Sequence, residues 1–375
     1  MIAKAKKKAT KPLRSPVALL NFALPITKDL MSYSCEKLSK DAVVGMTMAT
    51  LMIPQGLAFA TVSGIPLLYG LYIVWAPPFF YALYGVSIHV SFGPFALIGL
   101  FLNDAMGKRG FQPCHGLCRG ETEEVHAYLE ACTIVTFMVS IWYFVMSALK
   151  LGEPLAILLA DPVISGFVTA SALLVANSQA SYRFDHVWIF RDDINWVSTL
   201  TGMVAILIYF ALRHFNAYIK SKGSAAFVPE ALTVVILCTF FSWAWNFHGA
   251  FGVDIIEDIP PGLPSPKFPR LDKLKSQAEV EDFATVALVA AIMAFIITHS
   301  IAKSLAGATE IKATPQLFAF GVANLAGSMF STFPGSASLS RAAIIDTLGA
   351  RTIVHNVFTF MLMTLVLLFF SPLLE

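Results

Sequence analysis

From Ala42 to Asn103 the chain carries no Asp, Glu, Lys or Arg, yet the run is punctuated by Pro54, Pro66, Pro77, Pro78 and Pro94. A bilayer crossing takes about 20 apolar residues, so the run can cross roughly three times. Prolines and glycines fall where straight helices would not place them. Interrupted backbone at membrane depth survives only where it is buried in protein or lines a cavity. A helix that starts inside the membrane aims unpaired N–H groups and its positive dipole end at whatever fills that cavity, which favours an anion. The remaining composition agrees: 57% hydrophobic residues, 13% charged and a mean hydropathy of +0.70 exclude an ordinary water-soluble enzyme.

Charge is distributed asymmetrically. Lys4, Lys6, Lys7, Lys8, Lys11, Arg14, Lys28, Lys37 and Lys40 all precede the first span, which places the N-terminus on the cytoplasmic side. This leader has no continuous apolar core and no small-residue cleavage site, so it reads as a retained basic tail that sets topology and touches lipid. Of five cysteines, Cys114 and Cys118 lie close together in Cys114-His115-Gly116-Leu117-Cys118, on a loop this topology puts outside. A local disulfide, unpaired thiols and a zinc site are the three readings, and a single Cys-x3-Cys lacks the second ligand pair zinc prefers.

Apolar segments predict spans near residues 43–62, 66–86, 127–149, 161–179, 196–213, 228–248, 283–305, 314–330 and 352–373, with half-helices near 94–103 and 339–348. The loop holding Arg213, Lys220 and Lys222 then falls inside, as positive-inside bias asks. The long connection of residues 249–282, with its Pro260-Pro261-Gly262-Leu263-Pro264, falls outside and reads as an ordered or semi-rigid loop with no chemistry of its own. Two segments look like counterparts. His89-Val90-Ser91-Phe92-Gly93 leads into Pro94-Phe95-Ala96, and Phe333-Pro334-Gly335-Ser336-Ala337 leads into Ser338-Leu339-Ser340-Arg341. Each is a breaker-rich extended stretch before a short helix, and the second carries hydroxyls and a cation. Paired interruptions in two halves are the best sequence pointer to a transporter site.

Pro54-Gln55-Gly56-Leu57-Ala58-Phe59-Ala60, Gly64-Ile65-Pro66-Leu67-Leu68-Tyr69-Gly70, Pro77-Pro78 and Gly93-Pro94 resemble the SulP family of sulfate permeases and solute-carrier anion exchangers. The resemblance continues through Asp161-Pro162-Val163-Ile164-Ser165-Gly166-Phe167 with Gln179, Gly321-Val322-Ala323-Asn324 and Ser338-Leu339-Ser340-Arg341, covering about residues 41–374. It implies an all-α polytopic membrane protein with a seven-plus-seven inverted-repeat transporter fold. A core domain would carry the anion between two half-helix N-termini and slide against a gate domain. On that plan residues 1–41 are the cytoplasmic tail and 42–150 the core spans of repeat one. Residues 151–250 are gate spans, 251–282 an extracellular loop and 283–375 the core spans of repeat two. The family's architecture would continue past Glu375 with three more gate spans and a cytoplasmic STAS domain.

Carried over residue by residue, the anion pocket falls on Gln55, Phe59, Phe95, Leu339, Ser340 and Arg341. Amide and hydroxyl groups hydrogen-bond an anion, aromatic edges present positive quadrupole, and an arginine offsets desolvation. Plainer alternatives exist for four of them. Arg341 can pair carbonyls or snorkel, Gln55 can satisfy backbone freed by Pro54, and Phe59 and Phe95 can be packing among 31 Phe. Asp161 before Pro162 suits an N-cap, and His299 suits packing. Many relatives carry a carboxylate within residues 296–303, where this chain has Thr298, His299, Ser300 and Lys303. Lys303 is thus the charge at the coupling position, or a side chain snorkelling to the interface. Without a titrating acid the expectation is anion exchange or uncoupled anion movement in preference to proton symport. Ile88 also replaces a polar or basic residue common in relatives.

The leading expectation is a transporter of sulfate, chloride, bicarbonate or oxalate in the plasma membrane. Its partners would be inorganic or small organic anions and membrane lipid, with a homodimer as an assembly of the whole protein. No cofactor, metal or nucleic acid is expected. The alternatives are a transport-incompetent truncated isoform or fragment that regulates full-length relatives and, far behind, a metal enzyme built on Cys114, His115 and Cys118.

Overall fold

The computed structural model describes residues 24–114, 122–158, 196–222, 230–253, 262–274, 276–305 and 311–370, together with isolated helical positions between 166 and 173. The expected span at 161–179, including Asp161 and Gln179, and the partners His115 and Cys118 lie largely or wholly outside the described residues. Among the described residues the regular secondary structure is helical apart from one isolated antiparallel bridge.

Short α1 (Ile26–Met31) precedes α2 (Cys35–Ser63). α2 starts eight residues before the expected span because Ser34 caps it, accepting from Lys37 N at 3.3 Å. It stops at Gly64, whose φ of 71° few other residues adopt cheaply. α3 (Leu67–Tyr84) follows Pro66 and packs back on α2. The two helices meet at Gly56 and Gly70, where a Cβ on either would collide with the other's carbonyl. α4 (Ala96–Gly107) is the first half-helix, and at 1.5 Å per residue it is about 18 Å long, well short of a hydrocarbon core of about 30 Å.

α5 (Glu123–Ala148) is capped by Thr122 and leads to α6 (Gly152–Leu158). The outward-facing pair α7 (Trp196–Ser221) and α8 (Glu230–Ala244) pack on each other, and α8 touches α2. A short α9 (Phe247–Phe251) ends this region. α10 (Gln277–Leu305) and α11 (Ala313–Met329) lie against α5, and α11 also packs on α3. α12 (Leu339–Leu348) is the second half-helix, ending at Gly349 as expected. α13 (His355–Leu365), extended by a π turn to Phe370, packs on α2 and α3.

Among the described residues five helices are long and apolar enough to cross a membrane, namely α2, α3, α5, α10 and most of α7. The core lies where α3, α5, α10 and α11 pack around the stretch before α4. Tyr81 of α3, Phe92, Tyr143 of α5, Phe295 of α10 and Phe320 of α11 are buried together, with Phe320 5.7 Å from Phe92 and 5.8 Å from Tyr81 and Tyr143. This aromatic cluster backs the stretch that feeds α4.

At the far end of the bundle, loops fasten onto the helices. Gly262 N donates to Leu367 O at 2.9 Å and Lys267 N to Met329 O at 2.7 Å. Arg270 and Lys273 both reach Glu130 of α5, at 3.6 and 3.1 Å. The described part of the expected loop, residues 262–274, is thus fastened to α5, α11 and the end of α13. Arg109 after α4 forks onto Asp282 of α10. Cys114 is disulfide-bonded, with its partner outside the described residues, and its N–H donates to Gly64 O at 2.9 Å. That bond corrects the zinc and free-thiol alternatives at Cys114, because a disulfide sulfur is no longer an ionisable ligand.

Candidate functional site where two half-helices meet

The two breaker stretches cross. Gly93 and Ser336 exchange both backbone bonds, Gly93 N to Ser336 O at 3.0 Å and Ser336 N to Gly93 O at 2.8 Å. Beyond this two-residue bridge each stretch leaves carbonyls and N–H groups that water would normally satisfy. In lipid such orphans cost several kcal/mol each, so protein must supply partners. It does so from the helices packed around the crossing.

In the first stretch, Ile88 O accepts from His355 Nε2 at 2.9 Å and Val90 O from Asn356 Nδ2 at 3.2 Å. Ser91 O and Pro94 O accept from Arg341, from Nε at 3.4 Å and Nη1 at 2.9 Å. In the second, Thr332 O accepts from Thr136 Oγ1 at 2.8 Å, and Gly335 N donates to Asn324 Oδ1 at 2.9 Å. Ala337 N donates to Thr298 Oγ1 at 3.0 Å, and the Thr298 and Ser336 hydroxyls lie 2.8 Å apart.

α4 and α12 both start at this crossing, after Phe95 and Ser338, and neither start has a side-chain cap. The backbone N–H groups of Ala96, Leu97 and Ile98, and of Leu339, Ser340 and Arg341, take no acceptor among the described residues. Two positive helix ends therefore open at one locus inside the membrane.

Gln55 and Arg341 meet at the crossing and Phe95, Leu339 and Ser340 stand at the two helix starts, in distinct roles, whereas Phe59 is placed only by its neighbour Gln55 on α2. Arg341 is fully buried, and four of its five N–H groups are engaged: on Ser91 O, on Pro94 O, on Gln55 Oε1 at 3.3 Å and on Ser336 O at 3.0 Å. The carbonyl-pairing alternative for Arg341 is therefore what the structure contains. Its positive charge remains at the crossing, but its fork is not extended toward a ligand. Gln55 meets Arg341 through its oxygen, which leaves its amide N–H2 without a partner among the described residues.

Phe59 lies one turn beyond Gln55 on the same face of α2, half-buried against the core. Phe95 packs with Leu97, Ile297, Ile301 and Ala342, closing the wall between α4, α10 and α12. Leu339 and Ser340 are exposed, with the Ser340 hydroxyl 2.9 Å from that of Ser338. Lys303 is exposed two turns beyond Ile296 and makes no ion pair among the described residues, consistent with a side chain reaching for the interface. His299 is buried, with Nδ1 2.9 Å from Gln316 Oε1 and its ring stacked on Phe295.

Thr136, Ser336, His355 and Asn356 were not among the sequence-expected site residues. Their signal was available in principle, as polar side chains within otherwise apolar segments. Which carbonyl each would serve depended on how the repeats cross.

A model of the sulfate permease family matches residues 38–375. The chain belongs to the sulfate permease family. The family is one of permeases and not of enzymes. Similar members include "Sulfate transporter 4.1, chloroplastic" of Arabidopsis thaliana, 30% identical over 354 residues that cover 89% of this chain and 48% of that one. Prestin of Mus musculus is 30% identical over 374 residues, covering 92% and 49%. This chain spans about half the length of these curated relatives. Among solved structures, murine Solute Carrier 26 family member A9 in its inward-facing state superposes with a TM-score of 0.82 at 20% identity, covering 99% of this chain and 62% of that one. The transmembrane domain of the cyanobacterium bicarbonate transporter BicA gives 0.74 at 19% identity, covering 91% and 84%. These two likenesses concern the fold, an all-α polytopic membrane transporter fold of the kind the motifs implied.

Proposed function

We propose that this member of the sulfate permease family binds and moves small anions, held between the N-termini of α4 and α12. The observation that carries this reading is the convergence of two uncapped helix starts on the Gly93–Ser336 bridge, with the Arg341 charge buried between them. Six unpaired N–H groups, the free amide of Gln55 and the Ser340 hydroxyl offer hydrogen bonds to an oxyanion or halide, and the buried charge offsets its desolvation. Phe59 and Phe95 supply aromatic edges and exclude water.

Movement is proposed to be elevator-like. The core would comprise residues 42–150 and 283–375, and residues 151–250 would belong to the gate. Thr298 and His299 stand where relatives carry a carboxylate, and Thr298 is committed to Ala337 and Ser336. That supports exchange or uncoupled anion movement in preference to proton symport. Sulfate, chloride, bicarbonate and oxalate are the substrates to test. The plasma membrane is the compartment to test first by imaging a tagged protein, given that one similar protein is named as chloroplastic.

The deciding experiment is uptake of radiolabelled sulfate and chloride into proteoliposomes. Uptake that Ser340→Ala and Gln55→Ala weaken supports the reading. Anion binding without uptake, in a chain that co-purifies with a longer relative, would favour a regulatory partner. Neither binding nor uptake would refute the site.

A further inference from the structure

Asp41, near the start of α2, is completely buried and lies away from the anion-facing groups. Its carboxylate accepts from Arg351 N at 2.8 Å, Thr352 N at 3.2 Å, the Thr352 hydroxyl, and the Tyr33 hydroxyl at 3.1 Å. A buried carboxylate is costly unless charge-assisted hydrogen bonds satisfy it, and here four donors do. Burial, and then the carboxylate itself, push the Tyr33 phenol up to about 12, so it remains a donor throughout the physiological range.

The segment Asp41 holds is the turn at residues 351–354, which joins α12 to α13. On one side of that turn is the half-helix bearing Arg341. On the other, His355 and Asn356 donate to Ile88 O and Val90 O, in the stretch that delivers α4. Both halves of the crossing therefore hang from one joint. One helical turn further on, the Thr359 hydroxyl donates to Gly45 O at 3.1 Å, so α13 is tied to α2 without Asp41. Ile353 N also donates to Asp29 Oδ2 at 3.5 Å, a long contact beside Asp41's three bonds to Arg351 and Thr352, so loss of the Asp41 carboxylate loosens the joint and leaves the helix docked.

We propose that Asp41 is a positioning residue for the anion site: by pinning the 351–354 turn onto α2, it sets the register between the N-termini of α4 and α12. This rests on reading the crossing as the anion site. Asp41 touches no anion. It acts through His355 and Asn356 on one half-helix and through the α12 C-terminus on the other. A mere structural anchor would change how much protein folds and leave the affinity of the folded fraction alone.

The test uses the full chain in lipid nanodiscs, comparing wild type with Asp41→Asn, Asp41→Ala, Tyr33→Phe and Thr352→Val. Binding of radiolabelled sulfate and chloride is measured on the monodisperse fraction, alongside amide hydrogen exchange. Asp41→Ala is expected to bind roughly tenfold more weakly, the scale at which outer supports of a site act, with Asp41→Asn between it and wild type. Exchange at Gly93 and Ser336 is expected to accelerate while α5 and α11 stay protected. If Asp41→Ala does not fold, Tyr33→Phe and Thr352→Val each remove one donor and are expected to weaken binding two- to threefold.

Unchanged affinity and unchanged exchange at Gly93 and Ser336 in the folded variants would overturn the proposal. A wild type that binds neither anion would refute the site reading. The exchange comparison would then decide by itself whether Asp41 controls the crossing.

Discussion

Replacing Arg341 separates charge from hydrogen bonding at the crossing. Arg341→Met removes both. Ser336 O keeps its bond from Gly93 N, but Ser91 O and Pro94 O have no other donor among the described residues. Orphaning a buried carbonyl costs about 1–3 kcal/mol, so the two together cost about 2–6 kcal/mol. The lost charge adds an electrostatic penalty to anion binding. For a separation of about 6 Å and an effective dielectric constant of about 20, two unit charges attract by roughly 3 kcal/mol, about a hundredfold in affinity. Arg341→Lys retains the charge but offers a compact ammonium in place of a planar fork, so it cannot serve Ser91 O, Pro94 O, Ser336 O and Gln55 together. Arg341→Lys should therefore lose stability like Arg341→Met while keeping affinity within about fivefold of wild type. The assay is thermal unfolding of detergent-solubilised protein, followed by sulfate and chloride binding on the folded fraction. If Arg341→Lys folds normally but binds as poorly as Arg341→Met, the guanidinium contacts the anion directly, and the assignment of Arg341 to carbonyl pairing plus background charge is wrong.

Other positions offer narrower tests. Gly93→Ala would drive a Cβ into the Met52 methyl beside the Arg341 guanidinium, so the bridge to Ser336 should weaken and uptake should fall. Amide exchange at Ser336 reads this directly. Thr298→Val orphans Ala337 N and should destabilise by about 1–3 kcal/mol, whereas Thr298→Ser keeps the acceptor and should be nearly neutral; thermal unfolding of the pair tests it. Arg109→Ala removes a partly exposed fork onto Asp282 at the bundle end. It should cost no more than about 1 kcal/mol and leave anion affinity unchanged, as measured by unfolding and binding together.

Much of the bundle was legible because the bilayer constrains sequence severely. The chargeless stretch from Ala42 to Asn103, with Pro66 and Pro94 at helix starts, contained α2, α3 and the start of α4 almost in place. The second half-helix appeared at residues 339–348 as expected, because breakers in Phe333-Pro334-Gly335 precede it and Gly349 ends it. Boundaries moved where a polar cap carried a helix beyond its apolar run. Ser34 starts α2 eight residues early, through Lys37, Lys40 and Asp41, which hydrophobicity alone assigns to the tail.

The amino-acid sequence by itself pointed to a membrane protein with two interrupted helices, the second carrying hydroxyls and Arg341, and its resemblance to a known family added Gln55 to them. It could not determine their division of labour, because that depends on which side chain meets which carbonyl, and Arg341 meets Ser91, Pro94 and Gln55 across intervals of more than 200 residues. Tertiary structure decided that Arg341 serves Ser91, Pro94 and Ser336, that Gln55 turns its oxygen to Arg341, and that Asp41 holds the joint above them. The physical reason is the absence of water. Backbone groups released by a broken helix at membrane depth need a partner from the protein or from whatever fills the cavity, and the crossing of the two breaker stretches brings His355, Asn356, Thr136 and Arg341 to their carbonyls while leaving the N–H groups at the starts of α4 and α12 open.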